Sequence, residues 1–183
     1  MTPTEILKHE HKVILLVVDA AEREAQLIEK TGKVNVERIK KMVDFIRNFA
    51  DKCHHAKEEN QLFIKMEQRG FSKQMGPLAV MLHDHDEGRK MVKAAADSLS
   101  AAAAGDKNAV KTVAENLSDY AALLRAHIEK EDNVLYVMAD RVFTDDDQKA
   151  LSEAFEKVEN EEIGKGVHEK YHKLAHELAG KKA

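Results

Sequence analysis

Two stretches of this chain repeat one pattern. Cys53 to Met66 reads CHHAKEENQLFIKM, and His127 to Met138 reads HIEKEDNVLYVM. Aligned on His55 and His127, both give H-x-x-x-E-x-x-(L/V)-x-x-x-M, through Glu59, Leu62 and Met66 in the first and Glu131, Val134 and Met138 in the second. Offsets of 4, 7 and 11 residues return to one face of an α-helix, because each residue turns the chain by about 100°. One face then carries an imidazole, a carboxylate and two apolar side chains. A polar pair on an inward stripe is costly to bury alone. Two such pairs on facing helices have a common partner, a metal ion.

The rest of the chain also reads as helices. Thr2-Pro3-Thr4-Glu5 combines capping-box spacing with a proline at the first helical position, and Gly32 stops a helix expected to end near Lys30. Asn35 caps a second helix with no breaker before Arg69 and Gly70, long enough that a kink is expected. Pro77 opens a third, running to about Ala104, and a fourth spans about Asn108 to Val142. Thr144 followed by three aspartates starts a fifth, expected to reach about Glu162. Gly164-Lys165-Gly166 interrupts it before a short helix carrying Val167, Tyr171, Leu174 and Leu178 on one face. Short connections make neighbours antiparallel, so the predicted fold is all-α: an up-down-up-down four-helix bundle over residues 1–142, with a helical extension over 143–183 packed on it.

Composition agrees. Charged residues make up 34% of the 183, as in long solvated helices. The net charge of −4, with no basic block, argues against nucleic acid as a partner. No apolar run reaches a membrane span and no apolar leader is present, so no membrane partner and a cytoplasmic location are expected. The single cysteine, Cys53, excludes an internal disulfide; its phase points away from His55, and a buried thiol is the expected state.

Helical phase selects the candidate ligands. His11 lies on the stripe of Leu7, Ile14 and Val18, and His85 on that of Leu78, Met81 and Val92. His54 and Glu58 are also four apart, but their stripe continues into polar Gln61 and Lys65, whereas His55 and Glu59 continue into Leu62 and Met66. The inward set is therefore His11, His55, Glu59, His85, His127 and Glu131. Nitrogen-rich donors with two carboxylates suit Fe, Zn, Cu or Mn, and exceed what one tetrahedral zinc requires. Bridged di-iron is a recurrent occupant of four-helix bundles, which puts iron first. Tyr120, seven residues before His127, is a further candidate ligand or a packing residue. Glu10 and Asp84 each precede an inward histidine and are candidates to orient an imidazole. Arg89 either pairs with a carboxylate near the site or reaches solvent. His168, His172 and His176 form a stripe beside the last apolar face, a solvated rim or a second metal site.

The order H, H-x-x-x-E, H, H-x-x-x-E on four helices resembles the hemerythrin-like (HHE cation-binding) family, bacterial type. The phrases CHHAKEENQLF, MLHDHDEGR and HIEKEDNVLY carry the resemblance over about residues 5–140. It implies two iron ions with a bridging oxo or hydroxo group, bridged also by Glu59 and Glu131. It implies binding or reduction of a small oxidant: O₂, NO or H₂O₂. The alternatives are an O₂, NO or iron sensor, or an iron-storage protein without turnover. Oxygen carriers of the family have a second histidine four after the one on the third helix, where this chain has Arg89. With four imidazoles, two bridging carboxylates and one bridging oxygen, about two of roughly twelve octahedral positions stay open. That favours irreversible chemistry over reversible oxygen carriage.

Overall fold

The computed structural model describes residues 1–164 and 166–180. Lys165, at the expected interruption, and residues 181–183 of the expected extension lie outside the described residues. Helix α1 spans Pro3–Thr31, with a Thr2/Glu5 capping box and Gly32 at φ 67°, where the left-handed backbone lets its N–H reach the Ile28 carbonyl. Helix α2 covers residues 36–68. It is α-helical over Val36–Phe45 and Phe63–Gln68, and widens to the π pattern over Ile46–His55 and again over Glu58–Leu62. Helix α3 is Pro77–Ala103. Helix α4 covers 107–142, with one π segment at Glu131–Leu135 between Lys107–Lys130 and Tyr136–Val142. Helix α5 starts as Asp145–Lys157 under a Thr144/Asp147 capping box and continues through Val158–Gly164; α6 is Val167–Ala179.

The buried apolar residues form two clusters with a polar layer between them. Leu7, Leu62, Phe63, Met81 and Leu135 belong to one, and Ile14, Phe49, Val92 and Leu124 to the other. Along α1 the chain passes Leu7, then His11, then Ile14. Along α2 the order reverses: Phe49, then His54 and His55, then Leu62. It reverses again in α3, from Met81 through His85 to Val92, and once more in α4, from Leu124 through His127 to Leu135. That alternation is the up-down-up-down arrangement. Helix α4 packs along both α3 and α1, and α6 lies against α1 and α2. The last two helices enter both clusters, α5 through Leu151 and Phe155 and α6 through Tyr171, Ala175 and Leu178. The polar layer lies between the two clusters and is where the four long helices place their buried histidines.

Candidate metal centre

Seven buried side chains converge in this layer: His11, His54, His55, Glu58, His85, His127 and Glu131. They form two groups of metal-ligand type, His11 with His54, Glu58 and Glu131, and His55 with Glu58, His85 and His127. Within each group one donor atom per residue lies within 4.8 Å of all the others. Glu58 belongs to both. Glu131 also spans them, with Oε2 at 3.3 Å from His11 Nε2 and 3.2 Å from His127 Nε2. Glu58 Oε2 lies 3.7 Å from His54 Nε2 and 3.4 Å from His85 Nε2.

The fit to a cation is tested by what the protein leaves unpaired. Glu58 Oε2 and both oxygens of Glu131 are buried without a directed hydrogen bond, although imidazole nitrogens stand near them. Buried carboxylate oxygens without hydrogen bonds are rare and call for an explanation. His85 Nε2 and His127 Nε2 are 3.1 Å apart. Two imidazoles bound side by side to one octahedral ion at about 2.1 Å place their nitrogens about 3 Å apart. The residues present therefore fit a metal pair.

The outer nitrogens tell the same story. Asp132 Oδ1 is 2.8 Å from His11 Nδ1, Glu10 Oε2 is 2.8 Å from His54 Nδ1, and Glu59 Oε1 is 2.7 Å from His85 Nδ1. Asp84 Oδ2 is 3.2 Å from His127 Nδ1. His55 is the exception, with its Nδ1 at 3.4 Å from Asp51 and no hydrogen bond. A carboxylate on the outer nitrogen fixes the tautomer and turns the other nitrogen inward, as in metal-bound histidines generally. Tyr136 donates to Glu58 Oε1 at 2.5 Å and holds that carboxylate in place.

The charges are strongly coupled. Burial opposes protonation of His127, but the Glu131 carboxylate and Asp84 outweigh it and raise the imidazole to about 10. His11 is likewise raised to about 9 against burial by Asp132 and Glu131, and His85 to about 8 by Glu58 and Glu59. Burial first, and neighbouring His85 second, hold His55 well below the usual imidazole value. Although burial pushes the other way, His127 and His11 hold Glu131 well below the usual carboxylate range. The polypeptide alone balances its buried carboxylates with imidazolium ions, which a metal would displace.

The structure differs from the helical-phase reading in one register. Glu59 does not enter the cluster; its side chain is 24% exposed and it sits on the outer nitrogen of His85. Glu58 enters instead, and His54 enters alongside His55. The reason is the π winding of 46–62, which turns the chain less per residue and brings two successive histidines inward. The same winding after Glu131 leaves Val134 half exposed and buries Leu135 and Tyr136. A sequence signal for this exists in the repeat aligned on His54 rather than His55. HHAKEENQLF then matches HIEKEDNVLY at histidine, lysine, glutamate, an acid, asparagine, leucine and an aromatic ring.

That alignment is a pseudo-twofold relation in space. His54 leans on Glu10, which also accepts from Lys57 at 2.5 Å; His127 leans on Asp84, which also accepts from Lys130 at 2.5 Å. Glu59 and Asp132 cross over to His85 and His11. Thus Glu10 and Asp84 do orient imidazoles, each on another helix than its neighbouring histidine. His55 alone breaks the symmetry, since its counterpart is Ile128.

The remaining candidates fall outside the cluster. Arg89 is tied to Asp51, Glu59 and Asp86. Tyr120 is buried beside His127 with its hydroxyl unpartnered, and burial raises its pKa. Cys53 is buried, and burial together with Glu10 pushes its thiol to about 12. His168 and His172 pack on Phe49. His168 forms a third group with Glu10 and Glu159, but Lys57 Nζ, 2.5 Å from each glutamate, already supplies a cation there.

A model of the hemerythrin HHE cation-binding domain matches residues 2–139, and the chain belongs to that family. Its relatives include uncharacterized protein Mb2018 of Mycobacterium bovis and uncharacterized protein Rv1995 of Mycobacterium tuberculosis. Each is 25% identical over 164 residues, covering 90% of this chain. The chain spans 64% of the length of these relatives. No solved structure matches it. No described helix is long and apolar enough to cross a membrane.

Proposed function

We propose that the chain holds two iron ions with a bridging oxo or hydroxo group and binds or reduces a small oxidant: O₂, NO or peroxide. His11 and His54 would serve one ion, and His55, His85 and His127 the other, with Glu58 and Glu131 shared. The observation that carries this reading is the pair of buried ligand groups joined through Glu58, with Glu131 standing between His11 and His127. Bound there, iron supplies electron transfer and an acceptor for small oxygen- and nitrogen-containing ligands.

Five imidazoles, two shared carboxylates and one bridging oxygen use eleven of about twelve octahedral positions. One would stay open on an ion held by His11 and His54, which offer two imidazoles against three. The second opening expected from Arg89 would be filled by His55, which offers the additional imidazole. Reversible binding therefore regains ground against turnover. Stopped-flow mixing of the reduced protein with O₂, and separately with NO and H₂O₂, tests the reading. A reaction with at least one of them at rates that Glu58→Ala abolishes supports it, and inertness toward all three contradicts it.

A further inference from the structure

The buried pair Lys57 and Glu10 meets side chains from beyond residue 139, where the matched domain ends. Lys57 is wholly buried, and its ammonium lies 2.5 Å from Glu10 Oε1 and 2.5 Å from Glu159 Oε1. Helix α5 supplies Glu159 and, one turn earlier, the Phe155 ring, whose centroid is 5.8 Å from the ammonium. Helix α6 supplies His168, with Nε2 at 3.7 Å from Glu10 Oε1. Glu10 in turn holds the outer nitrogen of His54, Oε2 to Nδ1 at 2.8 Å. A continuous line of contacts therefore runs from α5 into the polar layer: Glu159, Lys57, Glu10, His54.

The pseudo-twofold counterpart ends differently. Lys130 also donates to the acid behind an imidazole, Asp84 behind His127, but its side chain is 43% exposed where Lys57 is closed in by α5. Solvent screens the Lys130 charge and leaves that of Lys57 unscreened. The two ligand groups thus have unequal outer surroundings, and the C-terminal helices make the difference.

An ammonium shared by two carboxylates neutralises each of them only in part. Glu159 draws off part of the Lys57 charge, so Glu10 stays a strong acceptor for the His54 N–H. A strong acceptor there makes the imidazole a better donor to a metal. Without Glu159 the whole ammonium falls to Glu10, and His54 becomes the weaker ligand.

We propose that Glu159 is a positioning residue for His54, acting through Lys57 and Glu10, and that α5 thereby sets how tightly the ion on His11 and His54 is held. That ion is the one with the open position, so the helical extension tunes the place where the oxidant would bind. The assignment rests on the two-iron reading above.

Anaerobic Fe(II) titration and redox titration of the iron-loaded protein test it, with Glu159→Gln set against Glu156→Gln. Glutamine keeps the shape of a side chain that is 37% exposed, so the fold is retained. Glu156 lies exposed three residues earlier on α5, and its substitution removes the same charge from the surface. Glu159→Gln should weaken one of the two irons about fivefold, below the roughly 10- to 100-fold scale of a direct outer partner. It should leave the other iron unchanged and raise the reduction potential, because a poorer donor stabilises Fe(III) less. Glu156→Gln should change neither. Wild-type affinities and potential in Glu159→Gln, equal shifts in both variants, or equal weakening of both irons would overturn the proposal. A wild type that takes up no iron would overturn the two-iron reading itself, and the proposal with it.

Discussion

His85 Nε2 and His127 Nε2 face each other 3.1 Å apart across α3 and α4. In the metal-free protein both rings hold protons at pH 7, so two N–H groups face each other there, an expensive arrangement for buried rings. Around one metal ion the same spacing is unstrained. The pair thus marks where the bundle was built for a cation, and the acids behind each ring, Glu59 and Asp84, hold both nitrogens in that pose.

The register of α2 can be checked directly. His54→Ala or Glu58→Ala should remove metal, costing well over tenfold in affinity. Glu59→Ala should keep the metal and weaken it by about 10- to 100-fold, the scale of an outer partner that orients a ligand. Metal titration of the three variants decides, and loss in Glu59→Ala matching that in Glu58→Ala would mean that Glu59 is a ligand.

Metal loading should release protons. His11, His85 and His127, raised to about 9, 8 and 10, hold protons at pH 7 in the metal-free protein and must lose them to bind. His55, held low, contributes none. Raised imidazoles stabilise the metal-free fold below their ordinary value, and that stability fades as pH climbs through about 8 to 10. Apparent metal affinity should therefore rise over the range in which the metal-free fold weakens. Calorimetry in buffers of different ionisation enthalpy should give about three protons per chain, counting the three imidazoles; a buffer-independent heat would refute this.

Lys57 is wholly buried between Glu10 and Glu159. Lys57→Met should destabilise the metal-free protein by about 3 kcal/mol, because Glu10 loses its cation while staying buried. Urea unfolding measures it. A loss below about 1 kcal/mol would show that His54 and solvent suffice for Glu10.

Much of this was legible in the sequence. The caps at Thr2, Asn35 and Thr144 start helices where their side chains accept backbone N–H groups, and the apolar period placed His11, His85, His127 and Glu131 in the interior. The phase of α2 was not, because an α-helical count of about 100° per residue allows only one of His54 and His55 inward. The π turns change that count, and nothing in single-residue propensity announces them. Nor does periodicity show which acid stands behind which imidazole: Asp132 reaches His11 from 121 positions away, a contact made only by the folded bundle. The repeat aligned on His54 held the information, since a lysine, a glutamate and a second acid recur together in both copies.

A paired iron site built on Glu58 and Glu131 fixes both the metal content and its magnetism. Iron analysis of the purified protein, joined to Mössbauer spectroscopy of the oxidised form, tests it most directly. Two irons per chain are expected, one for each ligand group, with the diamagnetic ground state of an oxygen-bridged ferric pair. One zinc per chain and no iron after growth in iron-replete medium, or two magnetically isolated ferric ions, would contradict it.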